Sequence, residues 1–210
     1  MSAPAKPRAF VLYAHPVPDS FAAAVHAATV ETLEEAGWEV DDCDLYAEGF
    51  DPRLTREERE GYHDVGPNLE PVADYVARLR AADGLFLCFP VWNFGYPAIL
   101  KGFFDRVFLP GVSFALEDGK VRPALGNIRT LAACCTYGAS RWRAFLAGDP
   151  PRRTVTRPLR YCLHPRARTR FLALYDMNRA DHSARAAFLA RVRRDLAALD
   201  LPPPREAGAD

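Results

Sequence analysis

The sequence predicts a doubly wound α/β domain built on a five-stranded parallel sheet. Three observations carry this expectation: strand-length runs that are apolar throughout, amphipathic segments between them, and prolines or glycines where one gives way to the next. The 210 residues are 49% hydrophobic and 26% charged, the balance of one globular domain, which excludes disordered, collagen-like and disulfide-scaffold classes.

The elements follow in order. Arg8–Ala14 is continuously apolar, as a strand buried on both faces must be, and stops at His15-Pro16-Val17-Pro18, where two prolines forbid its continuation. Ser20 is placed to cap a helix from Phe21 to Ala36 with Phe21, Val25 and Ala28 on one face, and Gly37 ends it. Trp38–Leu45 alternates as a second strand. A polar stretch follows from Tyr46 to Glu70, with a short helix near Thr55–Tyr62. Pro71 opens a helix that turns Val72, Val76 and Leu79 inward, and Gly84–Phe89 is a third strand that stops at Pro90. Pro97 starts a helix with Leu100, Phe103, Phe104 and Val107 as its seam, and Ile128–Cys135 is a fourth strand ending at Thr136-Tyr137-Gly138. A basic, proline-interrupted segment leads to a fifth strand, Arg170–Tyr175. Ser183–Leu199 closes the domain as a helix lined by Phe188, Val192, Leu196 and Leu199. Residues 1–201 therefore form one domain and 202–210 a frayed tail.

The net charge of zero hides an asymmetry: residues 1–90 hold 7 basic and 17 acidic groups, and residues 91–210 hold 20 and 10. Nine arginines and one acid fall within Arg141–Arg170, read as a surface facing the acidic half or as an anion-binding rim rather than a nucleic-acid surface. The cysteines at 43, 88, 134, 135 and 162 are odd in number, lack zinc spacing and lie mostly in apolar runs, so buried thiols are expected and no metal. No apolar run is long enough to span a membrane and no signal-peptide pattern is present, so the expectation is a cytoplasmic chain without membrane insertion.

Ligands of such sheets bind beyond the carboxyl ends of the strands, where the strand order reverses, which singles out three loops. His15–Ser20 lacks the glycines of a dinucleotide-binding turn and of a P-loop, but offers His15 and the Ser20 hydroxyl beside the free amides of a helix start, a place for a phosphate. Pro90–Tyr96 crowds Trp92, Phe94 and Tyr96 at a strand end, which suits a planar ring. Thr136–Ser140 brings Gly138, which permits close backbone approach, to the same edge.

These loops and the segment after the second carry a resemblance. His15-Pro16 with Ser20-Phe21, the long run Phe89-Pro90-x-x-x-Phe94-Gly95-x-Pro97-Ala98-x-Leu100-Lys101-Gly102-Phe103-x-Asp105-Arg106-Val107-Phe108, and Thr136-x-Gly138 resemble the NAD(P)H:quinone oxidoreductase family of flavodoxin-like flavoproteins. The resemblance covers about residues 8–140. It implies a flavodoxin-like three-layer fold with strand order 2-1-3-4-5, a bound FMN or FAD, NAD(P)H as co-substrate and a homodimer.

Position by position, the resemblance implies that His15, Ser20 and Phe21 hold the flavin phosphate and ribityl end. Pro90, Val91, Trp92, Asn93 and Phe94 line the ring, and Thr136, Tyr137, Gly138 and Ala139 clasp it. Lys101, Asp105 and Arg106 lie on a helix, where ion pairing is the expected role. The chain departs from the family pattern at Ala22, where an amide residue is common, at Trp92-Asn93, which is shifted or exchanged, and after Gly138. There Ala139-Ser140-Arg141-Trp142-Arg143 replaces the family's Tyr/His pair, so no catalytic residue is assigned. The implied activity is hydride transfer from NAD(P)H through the flavin to a quinone or similar aromatic acceptor by a ping-pong mechanism. FMN is preferred because the chain is compact, with no long C-terminal extension to cover a dinucleotide. Two alternatives remain open: a regulatory flavoprotein subunit of a membrane transport system, and a flavin-free hydrolase or phosphatase, although neither a G-x-S-x-G elbow nor a Cys-x5-Arg cradle occurs.

Overall fold

The computed structural model describes residues 5–203 of the chain. Five strands, β1 (Arg8–Tyr13), β2 (Glu39–Asp44), β3 (Gly84–Val91), β6 (Thr130–Tyr137) and β7 (Arg168–Leu174), form one sheet in the order β2-β1-β3-β6-β7. Every pairing is parallel. The remaining strands, β4 (Phe114–Glu117) and β5 (Lys120–Pro123), pair only with each other. With this hairpin set aside, the order is the expected 2-1-3-4-5, and it reverses between β1 and β3. The expected frayed tail falls on 202–210, of which 204–210 lie outside the described residues.

Helices cover both faces because each strand of the middle sheet is apolar on both. On one face, Val11, Phe86, Cys134 and Leu172 pack under α1 (Phe21–Glu35) and α8 (His182–Ala197). On the other, Phe10, Leu12, Leu87, Leu131 and Tyr137 pack under α3 (Ala73–Ala81) and α4 (Ala98–Val107). All eight residues of β3 and of β6 are buried, as the unbroken apolar runs require.

Local rules fix most boundaries. Ser20 caps α1, its Oγ accepting from the Ala23 amide at 3.1 Å. Gly37, at φ +94°, turns the chain out of that helix. Gly102 matters for a different reason: a β-carbon there would overlap the Pro52 carbonyl, so α4 lies against the 51–55 segment only because residue 102 has no side chain.

Several boundaries differ from expectation. Pro90 does not stop the third strand, which runs on to Val91. The Cys88 carbonyl accepts from the Ala14 amide, so alternate positions on β3, residue 90 among them, face β1. That neighbour has already turned away at His15-Pro16, so the missing proline donor leaves no ladder bond broken. Thr136 and Tyr137 belong to β6 rather than to the loop after it. Pro71 lies inside a 3₁₀ turn over Pro67–Val72, and α3 starts at Ala73. The basic segment is largely helical, with α5 (Arg141–Leu146) followed by α6 (Pro150–Thr154), a π turn over Val155–Leu159, and α7 (Arg160–Cys162). Among the described residues the carboxylate ion pair that its arginines make is Arg168 with Asp200, which does not join them to the acidic half.

Candidate functional site

The loops after β1, β3 and β6 all emerge at one end of the sheet, and the switch between β1 and β3 brings the first two together. The His15 and Trp92 ring centroids are 5.7 Å apart. His15 Nδ1 accepts from the Val17 amide at 3.0 Å, so in this geometry the ring proton sits on Nε2, away from its own loop.

The 92–95 turn has the most constrained geometry of the site. Trp92 and Gly95 exchange backbone hydrogen bonds of 3.2 and 2.8 Å, and the two residues between them, Asn93 (φ +50°) and Phe94 (φ +58°), are both left-handed. Asn tolerates that region, but a phenylalanine in it is strained, and such strain is a pointer to function. The turn leaves Trp92 41% and Phe94 38% exposed, an aromatic ledge on a rigid backbone. Tyr96 does not join the ledge. It packs inward on Phe89 and Phe104 and donates its hydroxyl to the Pro151 carbonyl at 2.9 Å.

The first loop has the character of an anion site. Phe21 and Ala22 open α1, where helix geometry gives their amides no carbonyl partner. Arg185, which sequence reasoning missed, reaches over from α8 to within 5.9 Å of the Phe21 ring centroid, and its buried Nε has no hydrogen-bond partner. A buried, unpaired guanidinium nitrogen beside a helix N-terminus fits an anionic phosphate. Nothing in the periodicity of α8 marked Arg185, since its relation to Phe21 spans more than 160 residues.

Within the third segment, Tyr137 is fully buried and its hydroxyl donates to Asp149 Oδ1 at 2.6 Å, so only its backbone can touch a ligand. Burial pushes its pKa well above the ordinary tyrosine value, and the Asp149 carboxylate adds to the effect, so the phenol stays protonated. The next loop, also unmarked in the sequence, closes this edge. The amides of Asp176 and Met177 donate to the carbonyls of Ala139 and Tyr137, both at 2.9 Å, and Asn178 lies against Gly138. Thr136 is buried and Gly138 exposed, so the clasp on this side is Gly138 and Ala139 backbone.

Lys101, Asp105 and Arg106 lie outside this end of the site. Lys101 pairs with Asp105 along α4, and Arg106 pairs with Glu58 at 2.6 Å. His164 stands at the opposite end of the sheet: its amide donates to the Ile128 carbonyl, just before β6 begins. All five cysteines are free thiols; four are buried and Cys162 is partly so.

A family model described as a flavodoxin-like fold matches residues 7–198. The chain is 34% identical over 148 residues to NAD(P)H dehydrogenase (quinone) 1 of Rattus norvegicus, covering 63% of this chain and 54% of that protein. It is 29% identical over 143 residues to the uncharacterized NAD(P)H oxidoreductase YcaK of Escherichia coli, covering 68% of this chain and 65% of that one. The chain thus spans about half to two thirds of the curated relatives it matches. Among solved structures, an NAD(P)H:quinone oxidoreductase from Methanothermobacter marburgensis superposes with a TM-score of 0.79 at 27% identity, over 93% of this chain and 100% of that one.

Proposed function

The chain belongs to the flavodoxin-like fold family, and from that membership we propose that it is a flavin-dependent NAD(P)H oxidoreductase acting on quinones or similar planar acceptors. The observation that carries this reading is the strained turn that presents Trp92 and Phe94 beside His15 at the switch in strand order. The residues fit a flavin. The amides of Phe21 and Ala22, with Arg185, would hold its phosphate. The backbone of Val91–Phe94 and of Gly138–Ala139 would hold the ring. The NAD(P)H dehydrogenase (quinone) of rat and the NAD(P)H:quinone oxidoreductase of Methanothermobacter marburgensis support the same donor and acceptor classes.

A bound flavin supplies hydride acceptance from NAD(P)H and hydride delivery to the acceptor. The protein's work is positional. The 92–95 turn supplies a flat apolar ledge whose backbone cannot relax, which fixes the ring without loss of order at each turnover. The buried Tyr137 and the partly buried Tyr96 and Tyr175 have their pKa values raised, chiefly by desolvation, and stay neutral. One open side then serves dinucleotide and acceptor in turn, which is a ping-pong scheme. The exposed Trp142 and the neighbouring Leu146 support a homodimer formed through α5.

The test is the absorbance spectrum of the purified protein, followed by anaerobic NADPH or NADH and then a quinone. A flavin spectrum that bleaches and recovers is expected, and mass analysis of the released cofactor distinguishes FMN from FAD. A flavin that resists reduction by either dinucleotide would point instead to a binding role. A protein that neither carries nor takes up flavin would overturn the reading of the whole site.

A further inference from the structure

Beside the third loop lies a cleft of about 350 Å³ lined by Arg141, Arg152, Arg153 and Arg157, with Phe145 and Tyr175 on its walls. Four arginines, one of them Arg152 with its guanidinium 5.7 Å from the Phe171 ring centroid, share it with one carboxylate, Asp149, which is already engaged by the hydroxyls of Tyr137 at 2.6 Å and Tyr175 at 3.4 Å. None of the four arginines makes a carboxylate ion pair among the described residues. Convergent cations without counter-ions repel one another unless an anion joins them.

The convergence is built into the backbone. Arg152 and Arg157 are five residues apart, a spacing that would set them on different sides of an α-helix. Pro158 has no amide hydrogen to donate, and the chain widens into a π turn over Val155–Leu159, whose i to i+5 hydrogen bonding brings Arg157 round toward the cleft that Arg152 also lines. The Thr156 hydroxyl donates to the Arg152 carbonyl at 2.8 Å within the same turn. Of the nine arginines within Arg141–Arg170, Arg141, Arg152, Arg153 and Arg157 line the cleft. Arg143 stands outside it, so the local backbone and not the count of arginines selects what faces the cleft.

We propose that this cleft takes the 2′-phosphate of NADPH, so that the protein discriminates NADPH from NADH. The inference rests on the oxidoreductase reading and deepens it. A phosphomonoester dianion is the anion best matched to several convergent guanidinium groups, and NADH has none. Phe145, 64% exposed on the wall, offers a face for the adenine. The volume suits half of a dinucleotide rather than the whole. The cleft also adjoins the flavin clasp, since the Tyr175 ring lies 4.6 Å from that of Tyr137 at the end of β6.

The test is calorimetric titration of the flavin-loaded protein with adenosine 2′,5′-bisphosphate, adenosine 5′-monophosphate and inorganic phosphate. The bisphosphate is expected to bind about tenfold or more tighter than the monophosphate, the factor set by gaining a charge-assisted contact. The double variant Arg153→Glu with Arg157→Glu should abolish that preference and raise KM for NADPH by a similar factor, with KM for NADH unchanged. Arg143→Glu, outside the cleft, should do neither. All three side chains are exposed, so an unchanged far-UV spectrum is the folding control. Equal binding of the two nucleotides, or displacement of the bisphosphate by inorganic phosphate at equal concentration, would overturn the proposal. A protein that oxidises NADH and NADPH equally would overturn it while leaving the oxidoreductase reading in place. Selective bisphosphate binding without oxidation of either dinucleotide would support the cleft and sink the oxidoreductase reading.

Discussion

Phe94 holds a backbone conformation that costs a non-glycine residue about 1–2 kcal/mol. The reciprocal Trp92 and Gly95 hydrogen bonds enforce it, and the ring is left more than a third exposed. Phe94→Gly would relieve the strain and lose about 0.5–1 kcal/mol to the extra freedom of the unfolded chain, so the urea midpoint should change little. Flavin affinity, followed by quenching of flavin fluorescence, should fall about tenfold on loss of one aromatic contact of about 1.4 kcal/mol. A variant that binds flavin as tightly as the parent would remove Phe94 from the site. Its aromatic character was legible in the sequence, because three aromatics at a strand end are conspicuous. Which of them face outward was not, because Tyr96 is drawn inward by partners at Phe89, Phe104 and Pro151 that are remote or only set by the turn.

At the scale of elements, one carboxylate joins two helices. Glu58 Oε2 accepts from the Thr55 amide at 2.8 Å, completing a capping box for α2 (Arg56–Glu60), while its Oε1 accepts from Arg106 on α4. Both side chains of the pair are only 12% exposed. Burial opposes ionisation of Glu58, but the Arg106 and Thr55 hydrogen bonds outweigh it and hold its pKa below the ordinary carboxyl value. A carboxyl that titrates lower in the folded state contributes its full stabilisation above the unfolded value of about 4.5, and loses it as pH falls through the folded value. Glu58→Gln should therefore cost about 2 kcal/mol at pH 7, with the gap to the parent narrowing below pH 4. Urea melts at the two pH values check it, and a gap that widens on acidification would contradict the assignment. The hairpin of β4 and β5 is a different lesson. Its Asp118-Gly119 turn, with both φ values positive, is a local signal that was present in the sequence and passed over. The π turn at Pro158 had no comparable signal, since proline usually ends a helix rather than widening it.

For the molecule as a whole, the exposed Trp142 and Leu146 on α5 make self-association the expected state. Sedimentation velocity should give a dimer, and Trp142→Glu with Leu146→Glu should shift it toward monomer with the fold intact. A monomeric parent protein would remove α5 as an interface.

The sequence by itself determined the five strands, the helices between them, the end of the sheet that carries the proposed site and the family resemblance. Each of these is a local matter, set by side-chain periodicity, by caps such as Ser20 and by motifs whose residues are close in the chain. The tertiary structure alone brought Arg185 to Phe21, Asp149 to Tyr137, and the 176–178 loop to the clasp. It also turned Arg157 into the cleft and left Arg143 outside it. These contacts join segments whose meeting depends on how the helices close over the sheet, and no periodicity along the chain encodes the distance between two elements that pack only after both have formed.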